Sequence, residues 1–326
     1  MNSQDTIKQF IDTFDQLKKK TKWQLLDHRV LMPIAATYVM RNHTFDQDRF
    51  FSIAKTIKQK AGFFSPLKSE LRYTITSMLD LRFKEPQEQI PKLFHLYDEM
   101  IKAKFSRGSF TYISASILLT NTDEEINTSE VIHKAKMIYD KMRKQHPFLT
   151  SASDYPLATL LALEQDGAHE RMDDFYKELN NNGFSKGNDL QTLSHILSIE
   201  TNIDKNELVS RAIRVYDSFR EVRIKQKAKY YSVMGMLALL PPGKINIQAV
   251  HNIYEQLNRQ KQFKWQKDLN WMLAVSFYVS ENMDESTVTE VNMITTMEAV
   301  LQAQQVIMIS STVAAVSVSN SSSNNN

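Results

Sequence analysis

The 326-residue chain has no cysteine, and it has only seven glycines and eight prolines. Without cysteine it can form no disulfide, no thiol nucleophile and no thiolate metal site, which suits a reducing compartment. With so few glycines, loops that cradle phosphates are scarce. The P-loop, the G-x-G-x-x-G fingerprint, HExxH and G-x-S-x-G are all missing from the sequence. These absences argue against most enzyme classes.

The chain also lacks a long uninterrupted apolar run. Its start, MNSQDTIKQF, carries Asp5 early and has no apolar core, so it does not resemble a signal peptide. Residues 306–318 are largely apolar but contain four hydroxyl side chains. A membrane-spanning helix needs about 20 consecutive apolar residues. We therefore expect a cytoplasmic protein with no membrane insertion.

What the sequence does contain is a repeat centred on a tyrosine. It reads LYDEM, IYDKM, FYKEL, VYDSF and IYEQL, with the tyrosines at Tyr97, Tyr139, Tyr176, Tyr216 and Tyr254. Repetition at a period near 40 residues is typical of stacked helical hairpins. Because stacked repeats do not bring such rings to one point, we interpret each tyrosine as a packing residue.

Each copy continues in the same way. Eight or nine residues after the tyrosine comes a hydrophobic residue that is expected to open a second helix: Phe105, Phe148, Phe184, Ile224 and Phe263. Cap spacing supports the helix starts, since Asn127 precedes Glu130 by three residues and Asp204 precedes Glu207 by three. Two weaker copies lie upstream, which gives about seven hairpins.

The sequence therefore predicts an all-α fold, a right-handed α-solenoid of about seven antiparallel helical hairpins. The alternative is that the same hairpins close into an α/α toroid, because the period fixes the unit and not the curvature. We assign 1–285 to the repeat domain, 286–310 to a C-terminal capping helix and 311–326 to a low-complexity, disordered tail.

Charge is segregated within the repeat although the net charge is only +3. The loop inside each hairpin is basic and the loops between hairpins lean acidic, so one edge of the stack should be basic. Its representative side chains are Lys20, Lys22, Lys104, Arg107, Arg143, Lys144, Arg223, Lys225, Lys261 and Lys264. Cations at helix ends complement the helix dipole, which is one explanation. The other is a ridge that binds an extended anion.

Aromatic residues interleave with the basic edge and could stack on bases. They are Trp23, Phe105, Phe148, Phe263 and Trp265. Because they begin apolar runs, we expect them in the core.

Polar side chains concentrate in the fourth and fifth hairpins and form a candidate ligand pocket: His146, Asp154, Tyr155, Asn188, Gln191 and His195. Each has a structural explanation, since Asp154 has capping spacing with Ser151 and His195 lies on an apolar helix. If the pocket exists, Asp154 and His195 should approach to about 6 Å across a solvent-reached space. No metal site or cofactor is indicated.

Two stretches that contain these polar residues resemble a known family. The runs HPFLTSASDY at 146–155 and GNDLQTLSHIL at 187–197, with the Ala-rich, Ser-ending C-terminus, resemble the domain-of-unknown-function 4003 family of Gram-positive, Bacillus-type bacteria. The resemblance covers nearly the whole chain and implies a bacterial cytoplasmic protein with no assigned activity or functional residues. The LYDEM unit and its KAKF loop are also faintly similar to pentatricopeptide repeats, which adds some weight to an RNA partner.

The sequence favours a non-enzymatic interaction module that binds an extended partner, a protein or peptide. The first alternative is an RNA-binding repeat protein that uses the basic edge. The second is an enzyme or a binder of a small ligand or metal, with its site between the fourth and fifth hairpins.

Overall fold

A computed structural model of the chain describes residues 3–22, 25, 27–122, 126–145, 147–163, 168–283 and 295–302. All regular secondary structure in these ranges is helical, which confirms the all-α prediction. No helix in the described ranges is both long and apolar enough to cross a membrane.

Fourteen α-helices follow one another between residues 3 and 282 of the described ranges, and several second helices are preceded by a single 3-10 turn. Their bounds are α1 (Ser3–Thr21), α2 (Leu31–Met40), α3 (Gln47–Lys60), α4 (Leu71–Arg82), α5 (Ile90–Lys102), α6 (Ser109–Asn121), α7 (Thr128–Gln145), α8 (Tyr155–Leu163), α9 (Ala168–Asn181), α10 (Asn188–Ile199), α11 (Lys205–Glu221), α12 (Tyr231–Leu239), α13 (Ile247–Arg259) and α14 (Lys267–Asn282).

Odd-numbered helices pack against the even-numbered helices that follow them. These contacts join α3 to α4, α5 to α6, α7 to α8, α9 to α10, α11 to α12 and α13 to α14. We call the odd-numbered helices first helices, the even-numbered ones second helices, and the loop that joins each pair a tip. The tips are numbered one to seven along the chain.

The chain divides into two compact units. The N-terminal unit comprises Lys8–Ile126 with Ala299–Asn326, and the C-terminal unit comprises Asn127–Glu298 with Met1–Ile7. Within the N-terminal unit α4 contacts both α2 and α6. Within the C-terminal unit the second helices contact one another in the series α8, α10, α12 and α14, and the first helices in the series α9, α11 and α13. In the same unit the Thr6 hydroxyl donates a hydrogen bond to Glu281.

First and second helices differ in how they meet solvent. In α13 the buried residues are Ile247, Val250, Ile253, Tyr254 and Leu257, which form one apolar stripe at helical spacing. All ten residues of α2 are buried, as are all nine of α12. Solvent therefore reaches the first helices and the loops, while the second helices form the core.

Several hydroxyl groups inside the second helices donate to carbonyls of their own helix, although those of Thr74, Ser114 and Ser232 have no partner among the described residues. The Ser194 hydroxyl donates to the Leu190 carbonyl at 2.8 Å, and Ser116 donates to the Tyr112 carbonyl at 2.9 Å. Because such bonds stay within one helix, they pair the buried polar atoms without building a site between helices.

Each repeat tyrosine lies against the start of the second helix in its own pair. Ring centroids are 3.8 Å apart for Tyr97 and Tyr112, 4.6 Å for Tyr139 and Tyr155, 6.2 Å for Tyr216 and Tyr231, and 5.4 Å for Tyr254 and Trp271. In the fifth pair the Tyr176 hydroxyl accepts a hydrogen bond from the Gly187 N–H at 3.3 Å. The tyrosines thus connect the two helices of a pair.

The expected capping helix falls only partly in the described ranges. Residues 295–302 are helical, and Met297, Ala299, Val300 and Leu301 in this stretch are buried. The rest of 286–310 and all of 311–326 lie outside the described residues.

Candidate functional site

The polar residues of the fourth and fifth hairpins are largely sealed from solvent. Asp154 is 3% exposed, Gln191 1% and His195 0%. Tyr155 is also buried, whereas Asn188 is exposed at the start of α10. His146 lies outside the described residues.

Asp154 and Gln191 both have hydrogen-bond partners within the fold. Asp154 accepts the Ser151 N–H at 2.8 Å and completes a capping box before α8. The Gln191 amide donates to the Thr150 hydroxyl at 3.3 Å, which ties α10 to tip four. Because Asp154, Gln191 and His195 are buried, the surrounding helices would have to move before a ligand could contact them. The pocket therefore stays a prediction.

Burial changes the acidity of the Asp154 carboxyl. It raises the pKa of Asp154 to about 6, although the hydrogen bond from Ser151 acts in the opposite direction. Among the residues that the structure describes, no group of three or more His, Asp or Glu side chains is placed to hold a metal ion. The chemistry of this region is that of a helix cap.

The basic side chains are on the surface. All ten are exposed, and they lie in a tip or in the last turn of the first helix before it: Lys20, Lys22, Lys104, Arg107, Arg143, Lys144, Arg223, Lys225, Lys261 and Lys264. Apart from Lys20 and Lys22, none of them has a carboxylate within 4.0 Å in the described parts of the chain. Their charge is therefore available to a partner.

Two further cations, both in tip six, are already neutralised. Lys227 and Lys229 of tip six both bind the carboxylate of Asp268 at the start of α14, and Tyr230 donates to the same group. Burial acts to raise the pKa of Asp268, but these three hydrogen bonds outweigh it and hold that pKa well below its usual range. This cluster links tip six to α14, and no carboxylate of the described residues lies within 4.0 Å of Arg223 or Lys225.

Three tips share one backbone turn. Lys104, Gly183 and Arg223 have φ values of 72°, 92° and 57°, in the left-handed region. In each case the N–H of the next residue donates to a carbonyl five residues before it: Phe105 to Met100, Phe184 to Leu179 and Ile224 to Phe219. This is the Schellman helix ending, which buries the hydrophobic residue after the turn and leaves the left-handed residue outside.

Exposed aromatic rings accompany the basic tips, contrary to expectation for two of them. Phe105 and Phe263 are buried as expected, but Phe148 is 99% exposed and Trp265 is 79% exposed. Trp23 lies outside the described residues. The expectation that Phe148 and Trp265 belong to the core is therefore wrong.

The local chain path explains both differences. Helix α7 continues to Gln145 instead of ending at a left-handed residue after Met142, so Phe148 follows the helix end on the solvent side. Trp265 comes two residues after Phe263, which already fills the core position of tip seven. The proline before Phe148 is the sequence signal that could have indicated a different turn.

A surface cleft adjoins tip six. Its volume is about 480 Å³, and its lining includes Glu221, Arg223, His251, Tyr254 and Glu255. His251 and Glu255 are 3.8 Å apart on α13. The sequence reasoning missed this cleft because its residues come from the end of α11 and from the exposed face of α13, and no motif connects them.

Comparisons with known proteins agree with the resemblance of the 146–155 and 187–197 runs. An uncharacterized protein, YeaA, of Bacillus subtilis (strain 168) is 37% identical over 301 residues, which are 91% of this chain and 91% of the relative. No solved structure matches this chain. The family described as "Protein of unknown function (DUF4003)" matches residues 13–306, and the chain belongs to that family.

Proposed function

We propose that the chain is a non-enzymatic helical-repeat module that binds an extended acidic protein segment along its tips. The observation that carries the proposal is the set of exposed cations without carboxylate partners at tips four, six and seven of the C-terminal unit. They include Arg143, Lys144, Arg223, Lys225, Lys261 and Lys264. A row of unpaired cations attracts an anionic chain and raises its rate of association.

The proposal includes an α-solenoid of seven hairpins with a period near 40 residues. It is supported by serial contacts: second helices contact second helices in both units, and first helices contact first helices in the C-terminal unit. In such a stack equivalent loops of successive hairpins lie along one edge. The tips would then present their cations at intervals that an extended peptide could follow.

Burial of the second helices favours the tips over a groove. Solenoids often bind partners through a concave face lined by one set of helices. Here α2, α8, α10 and α12 expose almost no side chain, so they offer little contact area to a partner. The cleft next to Arg223 is a place where one side chain of the segment could insert.

RNA is the alternative partner, because Phe148 and Trp265 lie beside cations. Lys264 already covers the Trp265 ring, with its amine 5.0 Å from the ring centroid. At tip five the equivalent residue, Phe184, is buried, and at tip six it is the partly buried Ile224, which has no ring. Successive bases would therefore find no continuous series of rings, whereas an acidic peptide needs only the charges.

The test compares two labelled probes in fluorescence anisotropy, a 20-residue oligoglutamate and a 20-nucleotide oligouridine, with protein purified after nuclease and high-salt treatment. We expect the oligoglutamate to bind and its affinity to fall as salt rises, since exposed charges are screened. Tighter binding of oligouridine, or nucleic acid retained through purification at low salt, would favour RNA. Binding of neither probe would contradict the proposal.

A further inference from the structure

Tip two of the N-terminal unit presents two phenylalanines to solvent. Phe63 is 85% exposed and Phe64 is 95% exposed. Their rings meet edge to face, with centroids 4.9 Å apart and planes at 89°. Together they form a small convex apolar surface, which we call the Phe63–Phe64 knob.

The knob sits on a turn fixed to the core. The Ser65 N–H donates to the Gly62 carbonyl at 3.0 Å, so the two phenylalanines occupy the central positions of a four-residue turn. Ser65 Oγ then accepts the N–H of Leu67, which is fully buried, and Ser65 also hydrogen-bonds the Tyr112 hydroxyl at 3.3 Å. Such central positions normally carry Pro, Asp, Asn or Gly. The two rings contribute little to the core, and they are free to contact a partner surface.

The chain segment that carries the knob is basic. Residues 55–69 contain four basic side chains and no acidic one: Lys55, Lys58, Lys60 and Lys68. Lys58 and Lys60 are exposed, and no carboxylate of the described residues lies within 4.0 Å of either amine. The Lys68 amine donates to the Lys58 carbonyl at 2.8 Å, which holds its charge at the base of the turn.

We infer that the Phe63–Phe64 knob anchors the protein to the surface of an anionic lipid bilayer. The two rings would enter the boundary between head groups and acyl chains, while Lys58, Lys60 and Lys68 remain among the anionic head groups. The Ser65 N–H of the turn is already hydrogen-bonded to the Gly62 carbonyl. This bond lowers the free energy cost of burying the turn in the membrane interface. This anchoring needs no membrane-spanning helix, and it is independent of the proposed binding at the C-terminal unit.

Geometry favours a bilayer over RNA or a protein partner. Two rings at 89° cannot both stack on consecutive parallel bases, which is how aromatic platforms hold single-stranded RNA. A protein partner would need a cavity matched to the knob. A bilayer requires no matched shape, and anionic head groups complement the segment 55–69, which has four cations and no anion.

The first measurement exploits the lack of cysteine in the chain. In the full-length protein, Phe64→Cys carries an environment-sensitive fluorophore, and Met137→Cys on α7 (69% exposed) is the matched control. With vesicles of phosphatidylcholine containing 30 mol% phosphatidylglycerol, we expect the emission of the label at position 64 to shift to shorter wavelength and the control to stay unchanged. An unchanged label at position 64, or equal shifts at both positions, would overturn the inference.

The second measurement is co-sedimentation of the unlabelled full-length chain with the same vesicles. We expect the bound fraction to fall at least about fivefold in Phe63→Ser/Phe64→Ser and on vesicles of phosphatidylcholine alone. The control Met137→Ser should bind like the wild type. Because both rings are exposed, the double variant should keep the wild-type melting curve. Wild-type protein that stays in solution, or a double variant that sediments normally, would refute the anchor.

Discussion

Lys104, Gly183 and Arg223 occupy the same position in three tips, yet only one of them is glycine. A side chain in the left-handed region costs roughly 1 kcal/mol relative to glycine, because its Cβ crowds the backbone. A Cβ added at Gly183 would meet no heavy atom within 4 Å, so the cost there is conformational alone. Lys104 and Arg223 therefore each lower the stability of the fold slightly relative to glycine.

At these positions, replacing a side chain by glycine should stabilise the protein, and replacing glycine by alanine should destabilise it. We expect Lys104→Gly and Arg223→Gly each to raise the free energy of unfolding by about 0.5–1 kcal/mol. Gly183→Ala should lower it by about 1 kcal/mol. Urea denaturation of the three variants measures the differences. A loss of stability in both glycine variants would contradict the assignment of backbone strain.

The buried carboxyl of Asp154 should make stability depend on pH. Its pKa in the folded protein is about 6, against 3.8 for the free group, so between about pH 4 and pH 6 the folded chain holds a proton that the unfolded chain has lost. The contribution of Asp154 to the free energy of unfolding therefore rises as the pH falls from about 6 to about 4. Above pH 6 the carboxyl is charged and destabilises the folded protein. Asp154→Asn keeps an oxygen that can accept the Ser151 N–H.

We accordingly expect Asp154→Asn to be more stable than the wild type at pH 7.5, by on the order of 1–3 kcal/mol. The difference should disappear near pH 4, where the wild-type carboxyl is also neutral. Chemical denaturation at both pH values measures it, with the exposed Asp12→Asn as control. If Asp154→Asn were less stable than the wild type at pH 7.5, and this difference did not change with pH, the carboxylate itself would be required for stability.

Residue roles were predictable where a local rule decides them. Capping spacing predicted Asp204 as a helix start, and its carboxylate accepts the N–H groups of Asn206 and Glu207. The exposure of Phe148 depends on where α7 ends, and Pro147 indicates only that the turn differs and not which way the ring points. A hydrophobic residue after a helix looks the same in sequence whether it turns inward, as Phe184 does, or outward.

At the scale of helices, α10 and α12 approach closely because of a glycine. A Cβ on Gly235 of α12 would lie 2.9 Å from Leu193 Cδ1 and 3.0 Å from Ile196 Cγ2 of α10. Glycine in a helix interior costs about 1 kcal/mol relative to alanine, so its presence there reflects packing. The run GMLALL predicted a second helix at this place, but the partner that needs the glycine lies about 40 residues away along the chain.

We expect Gly235→Ala to lower the free energy of unfolding by about 1–2 kcal/mol. The overlap with Leu193 and Ile196 should cost more than the gain in helix propensity. Gly243→Ala in the loop after α12 is the control, because a Cβ there meets no heavy atom within 4 Å. The measurement is thermal or urea unfolding of both variants, and equal stabilities would mean that the two helices move apart at no cost.

At the scale of the whole molecule, composition and period predicted the all-α fold, and the charge pattern predicted which loops carry exposed cations. The function of those loops does not follow from the same pattern, since helix dipoles alone attract cations to helix ends. The Phe63–Phe64 knob and the cleft beside Arg223 depend on turn geometry and on residues from two helices, so neither has a signature in the sequence.

The measurement that tests the binding role of the tips most directly is the affinity of the oligoglutamate probe for two variants of equal net charge. One variant reverses three tip cations, Arg143→Glu, Arg223→Glu and Lys261→Glu. The other reverses three exposed lysines outside the tips, Lys84→Glu, Lys92→Glu and Lys177→Glu.

We expect the tip variant to bind about tenfold or more weakly than the wild type, since each exposed charge pair contributes on the order of 0.5–1 kcal/mol. The affinity of the variant outside the tips should fall less than about threefold, because only its net charge has changed. Equal losses in the two variants would show that the probe responds to overall charge, and the tips would not be the binding surface.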